Sequence, residues 1–151
     1  MIRKLTFATA ILAAPMAFAD GHGDMSGDPE AGAEAFNTCI TCHVVRNPAG
    51  EVLAGRNGRV GPNLYGLPGR TAGSVEDFRY SPLMQAAHDA ELVWTEEHFV
   101  SYVPNASAFL TEFTGERGRS TMTPQPRISE EDAANIYAFL ASLVEEDTAS
   151  E

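Results

Sequence analysis

Five consecutive residues, Cys39-Ile40-Thr41-Cys42-His43, constrain this chain more than any other part of its sequence, and they include both of its cysteines. Two thiols at this spacing, with an imidazole directly behind them, suit one task above others. Both sulfurs add across the two vinyl groups of a haem, and the next side chain swings beneath the iron. A zinc site calls for about four ligands, which two cysteines do not supply. A dithiol redox centre uses the Cys-x-x-Cys spacing but has no need of the histidine. One covalent haem c is therefore the expected cofactor, attached through Cys39 and Cys42, with His43 as the proximal iron ligand.

The start of the chain says where such a protein works. Arg3 and Lys4 are basic, Leu5 to Ala14 is mostly apolar, and Ala17-Phe18-Ala19 offers a small-x-small cleavage site. That order is expected of a secretory signal peptide over residues 1–19, removed on export to the periplasm. The apolar run falls well short of the roughly 20 residues that a bilayer span needs. Residues 20–28 are expected to be a flexible leader, 29–144 one domain, and 145–151 a frayed acidic tail. The formal net charge is −11, and cleavage would remove Lys4, the chain's lysine. Nucleic acid is a poor partner for such a surface.

Asp28-Pro29 reads as an N-cap with proline at the first helical position. The helix it opens is expected to run to about Thr41, with Gly32, Phe36 and Ile40 on one face. From Val44 to Gly73 the chain is punctuated by Asn47-Pro48-Ala49-Gly50, Gly61-Pro62 and Pro68-Gly69, which predicts loop and not sheet. A loop that long suits a compact domain when it wraps a large rigid cofactor. Short helices are expected from Ser81 to about Asp89, from Thr95 to just before Pro104, and from Ser107 to Thr114. Pro124 and Pro126 keep Arg117 to Arg127 irregular. Ser129-Glu130-Glu131-Asp132 resembles a capping box. The helix behind it carries Ala133, Ile136, Tyr137, Leu140 and Val144 on its apolar side and is expected to end near Val144.

In this order, Gly32, Phe36, the Cys39–His43 string, Gly61-Pro62-Asn63-Leu64-Tyr65-Gly66, Gly69-Arg70, Trp94, Met122 and a C-terminal helix resemble the class I c-type cytochromes. The nearest likeness is to bacterial cytochrome c2 and mitochondrial cytochrome c. The resemblance implies an all-α cytochrome c fold, with helices and long loops wrapped around one covalently attached haem. Its N- and C-terminal helices would cross at Gly32, near Ile136 and Phe139. Met122 is implied as the distal ligand. Met25 lies in the leader, Met84 well before Trp94, and Met1 and Met16 in the signal segment, while His22, His88 or His98 stand as alternative ligands. The backbone carbonyl of Pro62 is implied as acceptor for the second ring nitrogen of His43. Arg70, Tyr80 and Trp94 are implied around a haem propionate, since a carboxylate taken out of water needs such donors. Tyr102 and Ser120 are implied beside the methionine sulfur.

With both axial positions filled, the iron is closed to substrates, and the expected function is electron carriage and not catalysis. The expected partners are membrane redox complexes: a quinol–cytochrome c reductase type of donor, and an oxidase or a photosynthetic reaction centre as acceptor. The carrier is expected to be a monomer. Alternatives are a dedicated electron donor or acceptor for one periplasmic oxidoreductase, or a ligand-binding haem protein. Relatives often dock through lysines, which residues 20–151 lack. Arg46, Arg56, Arg59 and Arg70 instead crowd residues 46–75, and Arg117, Arg119 and Arg127 crowd residues 114–128, against Glu51 and Glu116. Arg46, Arg56, Arg59, Arg117, Arg119 and Arg127 are the expected docking face, set against an acidic remainder.

Overall fold

The computed structural model describes residues 25–150. The expected signal peptide, residues 20–24 of the expected leader and His22 lie outside them. Helix α1 spans Pro29–Ala35, with the Asp28 carboxylate accepting from the Glu30 and Ala31 amides and proline in its first turn. Its last turn tightens into a 3₁₀ turn, Phe36–Thr38, so the helix stops short of the expected Thr41. The reason is local. Asn37 donates to the Glu34 carbonyl and the Thr38 hydroxyl to the Ala35 carbonyl, which satisfies by side chains the acceptors that a longer helix would have used. The chain then turns on the Cys39 carbonyl, which accepts from both Cys42 and His43 amides at 3.1 and 3.0 Å.

The segment expected to be loop contains a small antiparallel ribbon, β1 (Val44–Arg46) and β2 (Val52–Gly55). The Gly and Pro breakers sit at the edges of this ribbon and leave its strands intact. Pro48 and Gly50 fall in the connecting turn, Gly50 and Gly55 take positive φ of 89° and 81°, and β-branched Val44, Val45 and Val52 form the strands. Helices α2 (Pro82–Asp89), α3 (Glu96–Tyr102) and α4 (Ala106–Thr114) each begin on a side-chain cap, from Ser81, Thr95 and Asn105. Helix α5 starts on a complete Ser129–Asp132 capping box and runs from Glu130 to Ala149. It passes the expected end at Val144 because Asp147 is held in place by two partners, Tyr65 and Asn47.

The frame of the molecule is the crossing of α1 on α5. A Cβ added at Gly32 would collide with the Asn135 carbonyl and the Phe139 Cβ, so only glycine permits this approach. Beside it, Phe36 packs on Phe139 with ring centroids 5.5 Å apart, and the Asn135 side chain accepts from the Asp28 amide at 2.7 Å. Helix α3 also packs on α5. Leu92, Leu110, Ile136, Leu140 and Val45 are the largest fully buried side chains. Residues 69–72 cross 92–94 through bonds such as Ala72 amide to Leu92 carbonyl (2.7 Å) and Trp94 amide to Arg70 carbonyl (2.9 Å), which places Arg70 beside Trp94. Among the described residues no helix is long and apolar enough to cross a membrane.

Candidate haem site

Between these elements lies a cavity with about 1270 Å³ of atom-free space, its open mouth included. All ten residues expected at the cofactor line it: Cys39, Cys42, His43, Pro62, Arg70, Tyr80, Trp94, Tyr102, Ser120 and Met122. His88 and His98 do not. Their Nδ1 atoms sit 2.8 Å from the Ala72 carbonyl and 2.7 Å from the Val93 carbonyl.

On the His43 side the geometry is tight. Nδ1 of His43 lies 2.9 Å from the Pro62 carbonyl oxygen. A carbonyl can only accept, so Nδ1 carries the proton and Nε2 keeps its lone pair. Burial pushes the imidazole pKa below the usual histidine range, partly offset by the Pro62 carbonyl, and the neutral ring is the form that binds metals. Gly61 lies flat against the ring, since a Cβ there would overlap it. The loop is pinned from below: the Gly61 amide donates to the Cys42 carbonyl (2.8 Å) and the Leu64 amide to the Val44 carbonyl (2.9 Å). The Asn63 side chain accepts from the Arg46 amide and donates to the Arg46 carbonyl. Burial pushes the Cys39 thiol up, with the Thr38 hydroxyl offsetting part of the rise.

Arg70 donates to the Tyr65 carbonyl at 2.7 Å and the Asn63 carbonyl at 3.2 Å. Burial lowers its pKa somewhat, and nearby Tyr80 opposes that. Burial also raises the Tyr80 phenol, with the Val75 amide and Arg70 pulling it back. Trp94 is buried, and its indole N–H takes no acceptor among the described residues. It packs edge-on to Tyr102 with centroids 4.8 Å apart. Burial pushes the Tyr102 phenol up, while its hydrogen bond with the Ser120 side chain offsets part of that rise. Ser120 Oγ in turn accepts from the Met122 amide at 3.1 Å.

The sequence reading missed several wall residues: Leu64, Leu67, Phe78, Met84, Phe99, Val103 and Ile136 complete the apolar lining. It also missed the contact of Gly61 with the His43 ring. The glycine was visible, but its partner lies 18 positions away and only the fold joins them. The donor set fits a haem. The His43 ring nitrogens, the thioether sulfurs of Met84 and Met122 and both cysteine thiols line one largely apolar cavity, and Arg70 and Tyr80 offer donors for carboxylates.

A helical domain folded around such a cavity is a class I c-type cytochrome. Residues 29–144 match the cytochrome c family model. The chain is 54% identical over 121 residues to cytochrome c2 of Rhodovulum adriaticum, covering 80% of this chain and 95% of that protein. It is 48% identical over 142 residues to cytochrome c2 of Cereibacter sphaeroides, covering 92% and 97%. The crystal structure of cytochrome c2 from Rhodobacter sphaeroides superposes with a TM-score of 0.75 at 50% identity, covering 78% of this chain and 96% of that one. This chain belongs to the cytochrome c family; it binds one covalent haem c and is an electron-transfer protein, not an enzyme.

Proposed function

We propose that this chain is a soluble periplasmic carrier, exported by a cleaved signal over residues 1–19. It takes single electrons from a quinol-oxidising membrane complex and delivers them to a terminal oxidase or a photosynthetic reaction centre. Haem, when bound, supplies an iron that gains or loses one electron. The chain's own residues do the rest. Cys39 and Cys42 would hold the macrocycle through thioethers, and His43 Nε2 and the Met122 sulfur would hold its iron. Thioether ligation favours the reduced metal and raises the potential. Arg70, Tyr80 and Trp94 compensate a propionate charge, and the apolar walls exclude water.

The observation that carries this reading is the fixing of His43 by Pro62 in the cavity that Met122 also lines. Met84 lines it as well, but as a buried core residue of α2, whereas Met122 is half-buried on an irregular segment of the cavity wall. The test is the optical spectrum of the holoprotein. Low-spin bands with a weak far-red band in the oxidised form are expected, lost in Met122→Ala and kept in Met84→Ala. An unaltered oxidised spectrum and midpoint in Met122→Ala would remove the distal assignment.

For docking, five arginines support an electropositive rim: Arg56, Arg59, Arg117, Arg119 and Arg127 are exposed and have no hydrogen bond or ion pair among the described residues. Arg46 differs from the expectation. Its guanidinium donates to the Gly50 carbonyl and to Asn57 Oδ1, each at 2.7 Å, so it braces the β1–β2 ribbon and is a weaker candidate for a partner.

A further inference from the structure

Residues 117–127 form an irregular strap that carries Met122 across the cavity mouth. The strap has no regular hydrogen-bond ladder, so its position depends on a few anchors. One is Gln125, whose amide donates to the Pro104 carbonyl at 3.1 Å. Another is Ser120, whose amide donates to Ser107 Oγ at 3.0 Å. Ser107 stands in the first turn of α4, two residues past the Asn105 cap and between the fully buried Ala106 and Leu110. Its hydroxyl therefore projects from a fixed element. Ser120 passes that fixity on, because its own hydroxyl accepts from the Met122 amide.

We infer that Ser107 is a positioning residue for the distal side of the haem: its hydroxyl latches the Met122 strap and sets how readily that strap yields to a small exogenous ligand. The inference rests on the reading of Met122 as distal ligand. Local opening of a strap can be far easier than global unfolding and is governed by the few bonds it breaks. Replacing Ser107 by alanine leaves the half-buried Ser120 amide without its acceptor, and a methyl group offers no substitute.

The experiment titrates the ferric holoprotein with imidazole and follows the spectrum. Ser107→Ala should bind imidazole about three- to tenfold more tightly than the parent, the factor that one net hydrogen bond represents, with a weakened far-red band. Ser107→Thr keeps the acceptor and should restore the parent affinity. Asp28→Ala removes a helix cap of comparable weight from α1 and should leave imidazole binding unchanged, which separates a latch from general destabilisation. Should Ser107→Ala yield no holoprotein, Ser107→Cys, a weak acceptor, is read in the same way. Parent-like imidazole binding in the alanine or cysteine variant, alongside an altered Met122→Ala spectrum, overturns the latch alone. An unaltered Met122→Ala spectrum overturns the distal reading and the latch with it.

Discussion

The hydroxyl of Tyr65 donates to the Oδ2 of Asp147 across 2.7 Å, joining the loop behind His43 to the last turns of α5. Oδ1 of the same carboxylate accepts from Asn47 Nδ2, also at 2.7 Å, and Asn47 is itself buried and bonded to Glu51. Tyr65 supplies the carbonyl that holds Arg70, so the end of α5 braces the arm that carries both Pro62 and Arg70. Asp147→Ala should destabilise the holoprotein by about 1–3 kcal/mol, the worth of hydrogen bonds to a charged acceptor. Guanidinium unfolding followed by circular dichroism measures it. A loss below a few tenths of a kcal/mol would mean that the α5 extension is merely resting on the loop.

Gly61 is more demanding. An alanine methyl there would overlap the His43 ring, and the ring cannot retreat without breaking its bond to Pro62. Gly61→Ala should therefore lower the yield of covalently loaded protein severely, and cost the remainder at least the 1–3 kcal/mol typical of overpacking. The ratio of haem absorbance to protein in the purified product is the readout, with Gly66→Ala as comparison. Gly66 has open space for a Cβ and only its φ of 64° to oppose substitution, so that variant should load its haem.

How much was legible in advance follows from how local each signal is. The caps Asp28, Ser81, Thr95 and Ser129 declare themselves within four residues, and the corresponding helix starts came out as read. The helix ends did not. The stop at Ala35 depends on side chains competing for carbonyls, and the persistence of α5 to Ala149 depends on Tyr65 and Asn47, far away in sequence. The β1–β2 ribbon was hidden because the same Gly and Pro residues mark both a loop and the ends of a hairpin. The ten expected site residues do share one cavity, since their motif order carried the topology with it. Ser107 was invisible: one serine in a helical turn carries no sequence signal until the strap is seen to lie on it.

Alkaline pH should act through the buried phenols. Burial raises both Tyr102 and Tyr80 above the ordinary tyrosine range, so the folded state holds their protons more tightly than the unfolded chain does. Stability from this source is complete below the unfolded value of about 10 and is lost as pH rises from there through the folded value. The slope per group is at most about 1.4 kcal/mol per pH unit. Tyr102→Phe should flatten the fall in unfolding free energy above about pH 10. An unchanged slope would place the alkaline transition elsewhere.

The arginine rim makes a kinetic claim. Arg117 and Arg119 lie at the start of the strap that carries Met122, and both are exposed without a partner among the described residues. On a chain of net charge −11, they can steer an acidic redox partner only through the local field. That field decays over about 10 Å at 0.1 M salt and about 3 Å at 1 M. The double variant Arg117→Glu/Arg119→Glu should therefore slow association with a purified quinol-oxidising complex or oxidase by roughly tenfold or more at low salt, and converge on the parent rate as salt rises. Arg46→Gln provides the contrast. Its guanidinium is spent on Gly50 and Asn57, so it should lose stability and leave the low-salt rate nearly unchanged. Stopped-flow oxidation and reduction across a salt series measures all three. A parent rate that climbs with salt would mean that the acidic surface, and not the arginines, faces the partner.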